Sequence, residues 1–223
     1  MDTCRYRQVR QLPSILILAS LCWVFAGCQT TYYAAWEKLG KHKRDLLRDQ
    51  VEKTRDEQEA AKTEFKDALT RLKELTGFDG GKLEAAYKAV QNDYDQCRDR
   101  ADSIRDRIGK IENISTALFA EWEKELEAYS SENLRSASRV KMNETKQRYE
   151  SLHTALQKSS ASMEPVLARL KDQTLFLKHN LNAQAIGSLK GEVISIEGDI
   201  QKLINEMNIA ITKAEEFIKA MPE

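Results

Sequence analysis

Residues 47–90 read LRDQVEKTRDEQEAAKTEFKDALTRLKELTGFDGGKLEAAYKAV. Leu47, Val51, Thr54, Gln58, Ala61, Phe65, Ala68, Leu72 and Leu75 recur in alternating steps of four and three, the a/d seam of a coiled coil. Gly77-Phe78-Asp79-Gly80-Gly81 then breaks the helix with the residues that close a helix C-terminus and turn the chain. The seam resumes in Leu83, Tyr87, Val90, Tyr94, Cys97, Ala101, Ile104, Ile108, Ile111, Ser115, Leu118 and Trp122. Two long helices joined by so short a break must lie antiparallel.

Working outward, the phase is lost between Tyr129 and Met142, where Ser130, Ser131, Asn133, Ser136 and Ser138 are weak helix formers. Either a turn or a register slip over 130–141 accounts for this. A turn is favoured, because one helix from Lys82 to Leu181 would span about 150 Å. A third seam follows in Met142, Thr145, Tyr149, Leu152, Leu156, Ser159, Met163, Val166, Leu170, Gln173 and Leu177. Pro165 lies inside it and is expected to kink the helix or start a new one. A connection near 182–188 leads to the last seam, Leu189, Val193, Ile196, Ile200, Leu203, Met207, Ala210, Ala214, Phe217 and Met221. Ile194, Ile204, Ile211 and Ile218 widen that stripe, so the fourth helix is expected to pack on at least two others.

The fold expected is therefore all-α: long antiparallel helical hairpins, 34–129 and 142–223, forming a coiled-coil rod or an elongated four-helix bundle. Composition agrees. In 223 residues there are only 9 Gly and 3 Pro, while 31% are charged, too little punctuation for a globular enzyme of this length.

Ahead of the helices, Leu12 to Cys28 reads as a bacterial lipoprotein signal. Arg5, Arg7 and Arg10 form a basic region, and Ile15–Ala26 is apolar but for Ser20 and Cys22. At twelve residues this run is too short to span a bilayer and suits a signal peptide. Phe25-Ala26-Gly27-Cys28 resembles the lipobox, with Phe25 where Leu is usual. Residues 1–27 would be the signal peptide, Cys28 the acylated residue and 28–33 the tether. Several acyl chains anchor stably where one does not. Gln29 resembles the signal of an outer-membrane-directed lipoprotein. The expected place is the bacterial cell envelope, facing the periplasm. Cys4 and Cys22 would leave with the signal, so Cys97 on the second seam would be the one thiol, buried and inert.

Two stretches carry a family resemblance: YYAAWEKLGKHKRDLL at 32–47 and DQTLFLKHNLNAQAIGSLKGEV at 172–193. The chain is similar over nearly all of its length after the signal to an uncharacterised bacterial family, catalogued as a domain of unknown function. That family is coiled-coil and often lipoprotein-like. The resemblance implies the helical fold and no activity.

Two polar clusters are candidate sites. Lys38, Lys41, Lys43 and Arg44 follow Tyr32, Tyr33 and Trp36 close behind the tether, the pattern of contact with anionic headgroups flanked by interfacial aromatics. Lys178, His179, Asn180, Asn182 and Gln184 gather at the third connection as a possible partner site; helix caps are the plainer reading of the same residues. Past residue 27 the net charge is −2, which argues against nucleic-acid binding. His42, His153 and His179 lack metal-ligand spacing, and GxxxxGK[ST] is absent, so neither a metal, another cofactor nor a nucleotide is expected. No catalytic residues are expected either. The function expected is non-enzymatic: a lipid-anchored periplasmic scaffold or adaptor whose partners are the membrane, through Cys28, and a protein partner or a second copy of itself. The alternative is a binder of anionic lipid or envelope polymer through the first helix.

Overall fold

The computed structural model describes Tyr33, 42–77, 83–180 and 183–221, with the side chains of 183–185 left aside. Residues 44–223 form one unit and 1–43 another. Four helices, all within the larger unit but for Lys43 at the boundary, follow: α1 (Lys43–Thr76), α2 (Leu83–Ala128), α3 (Glu132–His179) and α4 (Ala183–Ala220).

The helices run up, down, up, down, as their ion pairs show. Down α1, Arg71, Glu64 and Glu57 meet Asp93, Arg100 and Arg107 going up the sequence of α2, one heptad per step. Between α2 and α3 the ion pairs are Arg105–Glu164 and Glu123–Lys146, with a Glu112–His153 hydrogen bond between them. Between α3 and α4 they are Arg169–Asp199 and Lys158–Glu206. Finally, Lys73 reaches Glu197 and Lys62 reaches Asn208, which closes α4 onto α1. One antiparallel neighbour stands on each side of every helix, as in a four-helix bundle.

The core lies between them, and the α1 and α4 seams occupy it position for position. Across the centre, Ser159 Oγ of α3 donates to Gln58 Oε1 of α1 at 2.9 Å, with both side chains fully buried. Gln58 Nε2 has no hydrogen-bond partner among the described residues. Leaving such a donor unpaired in a dry core costs about 1–3 kcal/mol.

The α2 seam drifts from its expected phase at both ends. Asp93 is buried in place of Tyr94, because Arg71 of α1 pairs with its carboxylate. Phe119 is buried in place of Leu118 and meets Tyr149 of α3 edge-on at 5.7 Å. With Leu126 and Met142 it makes a small second core, against which Trp122 packs while donating to Ser138 Oγ at 2.9 Å.

Three expected boundaries move. The chain turns at 129–131, and α3 starts at Glu132, so 132–141 is helix rather than part of a turn. Ser131 explains the start: its side chain caps the Leu134 N–H at 3.4 Å. Pro165 does not interrupt α3. It lies on the exposed face, where water can satisfy the carbonyl that proline leaves without a donor. The connection expected near 182–188 is also shorter, since α4 begins at Ala183 and Ile186 already packs into the core.

The fourth helix does touch two partners, α3 and α1, but Ile194 is not part of the reason. Ile204 and Ile211 are buried and Ile218 packs against the core, while Ile194 is 73% exposed. One heptad before Ile204 comes Glu197, which pairs with Lys73. Ile194 lies further round the helix, in the open.

Candidate functional site

The expected membrane-surface cluster falls largely outside the described residues: Cys28, Tyr32, Trp36, Lys38 and Lys41 all do. Tyr33 is buried, and the Lys43 ammonium stands 5.5 Å from its ring centroid, a cation–π contact. Arg44 Nε lies 3.6 Å from the Asp45 carboxylate. Asp45 in the first turn also suits the positive end of the helix dipole.

The second cluster sits at the end of α3. Because α3 runs parallel to α1, Arg44 at the start of α1 and this cluster occupy opposite ends of the 44–223 unit. Asn180 is spent on capping: its N–H donates to the Leu177 carbonyl at 3.2 Å and its side-chain amide to the Phe176 carbonyl at 2.9 Å. Lys178 and His179 are exposed in the last turn, where positive charge complements the dipole. Asn182 and the Gln184 side chain lie outside the described residues.

The structure adds three polar assemblies that the sequence reading passed over. Glu57 stands between Arg100, at 2.9 Å, and Arg107, at 3.7 Å, while Arg100 also lies 3.6 Å from Glu64. The hydrogen bond to Glu57 raises the Arg100 guanidinium above its ordinary value. Glu57, Glu64 and Arg100, with Gln96, Asp99 and Ser103, line an open groove of about 500 Å³. Acids and bases there neutralise one another, so Glu57 holds α1 to α2 rather than standing ready as a general base.

Between α2 and α3, His153 Nε2 bonds Glu112 Oε1, and the Gln157 amide donates to the same oxygen at 3.3 Å. The Tyr149 ring stacks on His153 with centroids 5.6 Å apart. Burial pushes the Tyr149 phenol up, against a hydrogen bond with Ser115 that pulls it down. Ser115 Oγ donates to the Glu112 backbone carbonyl at 2.9 Å. Its hydroxyl is thus engaged with backbone and phenol, away from the geometry of a serine activated by histidine.

The third assembly is a cavity of about 290 Å³ between α3 and α4, lined by Gln147, Arg148, Ser151, Lys213, Glu216 and Phe217. Its cations are paired as well, Arg148 with Glu144 at 3.5 Å and Lys213 with Glu216 at 2.7 Å. The hydrogen bond from Lys141 holds the exposed Glu144 carboxyl below its ordinary value.

Cys97 is a free, buried thiol, and burial pushes it well above the ordinary thiol range. Among the described residues no group of three His, Cys, Asp or Glu side chains is placed to hold a metal ion. No described helix is long and apolar enough to cross a membrane.

A family model described as "Protein of unknown function (DUF2959)" matches residues 32–221. The chain belongs to this family. The match begins just after the lipobox-like segment and runs through all four helices, so the family domain and the bundle coincide. No curated protein and no solved structure matches the chain.

Glu57 and Glu64 on α1, and Arg100 and Arg107 on α2, are each one heptad apart beside their seams, and such groups can be paired only after each helix has been given its neighbour.

Proposed function

We propose that the protein is a non-enzymatic, lipid-anchored coiled-coil protein of the bacterial envelope, held to a membrane through acylated Cys28 and facing the periplasm. There it acts as a scaffold or adaptor for a protein partner. The observation that carries this reading is the Leu12–Cys28 stretch leading within a few residues into the family domain. The helix-bridging ion pairs support it, since they commit the charged side chains of the bundle to holding neighbours together. Gln29 favours the outer membrane as the place. In-cell crosslinking followed by copurification from the native envelope tests the scaffold role. A specific protein partner, or a second copy, is the expected product; recovery of neither overturns it.

The basic and aromatic residues next to the tether favour one second reading, a contact with anionic lipid or envelope polymer through Tyr32, Tyr33, Trp36, Lys38, Lys41, Lys43 and Arg44. A Lys41→Glu/Lys43→Glu/Arg44→Glu variant should bind anionic liposomes less well than the wild type. Equal binding removes this reading and leaves the anchor untouched.

A further inference from the structure

The fold gives no reason for the glycines of α4. Gly187, Gly191 and Gly198 lie in one continuous helix, and a Cβ added at any of them would meet nothing within 4 Å. Each weakens the helix relative to alanine and gains no internal contact in return. All three are exposed, and at 3.6 residues per turn they line up with Ile194 as one outward stripe. Ile194 is the most exposed large apolar side chain among the described residues, at 73%. Asn205 and Ile209 continue the stripe.

Charge on the α1-side edge of this stripe says what fits it. Lys190 and Glu197 stand there one heptad apart. Lys190 makes no ion pair or hydrogen bond among the described residues; Glu197 takes Lys73 at 2.6 Å. We propose that this face joins two copies of the chain, α4 against α4 in antiparallel, with the two-fold axis at Ile194. The interface is isologous, so each contact occurs twice. Gly191 comes opposite Gly198 of the second copy on both sides of the axis, and backbones without Cβ atoms approach closely there. The two Ile194 side chains fill the space between these glycine pairs. Lys190 faces Glu197 of the second copy, and the reverse. On the α3-side edge Ser188 faces Asp199 and Glu192 faces Ser195, so no like charges meet. Parallel pairing in register sets Lys190 on Lys190 and Glu197 on Glu197, which repel. Phe176 of α3, 37% exposed, is one heptad beyond Arg169, which binds Ser195 and Asp199, so it borders the same face and extends the apolar area.

Disulfide trapping in membranes from cells making the full chain tests this. Ile194→Cys should give a band of twice the chain mass under non-reducing conditions that the wild type, with Cys97 buried, does not give. Because Cys4, Cys22 and Cys28 are spent only if the proposed lipoprotein processing holds, the same comparison is made with Cys4, Cys22 and Cys28 replaced by Ser. Adding Gly191→Arg should lower the yield more than tenfold without lowering the melting temperature. Lys190→Glu should lower it severalfold, and Lys190→Glu with Glu197→Lys should restore it. Three results overturn the proposal: no doubled band, a doubled band that Gly191→Arg leaves intact, or a cross-link to a species of another mass.

Discussion

Ser159→Ala removes one hydroxyl from the centre of the bundle and should destabilise it, whereas Gln58→Met combined with Ser159→Ala should stabilise it. The reversal comes from the state of Gln58. Its Oε1 accepts from Ser159 and its Nε2 is already without a partner, in a side chain wholly removed from water. Ser159→Ala takes away the remaining bond and leaves a buried acceptor unsatisfied, a loss of about 1–3 kcal/mol. Met is close to Gln in volume and carries no hydrogen-bonding group, so the pair of substitutions removes the penalty for both ends of the amide. The expected gain is again about 1–3 kcal/mol. For a domain of this size 1 kcal/mol moves the melting temperature by about 2–4 °C. Thermal unfolding followed by circular dichroism should therefore place Ser159→Ala roughly 2–12 °C below the wild type and the double variant above it. A neutral Ser159→Ala, or a double variant that melts lower than either single variant, refutes a dry polar contact between α1 and α3.

Ile204→Asp should lower stability by several kcal/mol, because it places an unpaired carboxylate at a buried site facing α1; an unchanged melting temperature means that α4 touches α3 alone. Gly109→Ala in α2 should raise stability by about 1 kcal/mol, since the added Cβ meets nothing within 4 Å; a fall in melting temperature contradicts the open surroundings of that residue. Cys97 should react slowly with a thiol reagent until the protein unfolds, and fast native labelling contradicts its burial. Its raised folded pKa also has a sign. Above the ordinary thiol value of 9.0 the unfolded chain loses the proton while the folded one keeps it, so this contribution to stability is present below that pH and declines as pH rises. Cys97→Ala should flatten the decline, and an equal slope in both proteins removes the assignment.

Seams bounded by long runs of perfect heptads were legible in the sequence, and α1 and α4 are buried along the positions their spacing marks. What misled was information held by other helices. Asp93 reads as a surface residue until Arg71 is placed beside it, and Tyr94 then gives way. Ile194 reads as one of four matching isoleucines, but its spacing from Ile204 differs from the heptad that joins Ile204, Ile211 and Ile218. The break at 129–131 is shorter than the stretch of weak helix formers suggests, because packing overrides propensity once a cap such as Ser131 starts the helix. The same dependence hid the Glu57–Arg100–Arg107 and His153–Glu112 groups, whose members lie far apart in the chain. Cys28, in contrast, is read from local pattern alone and needs no knowledge of the bundle.

That reading is the centre of the functional account, and the state of Cys28 tests it most directly. Membranes from cells making the full chain, wild type or Cys28→Ser, would be separated from soluble protein and the chain analysed by mass spectrometry. Wild type should be found in the membrane fraction, beginning at Cys28 and carrying added acyl mass, while Cys28→Ser should be soluble or keep its first 27 residues. A wild-type chain that begins elsewhere, or that carries no lipid on Cys28, contradicts the account.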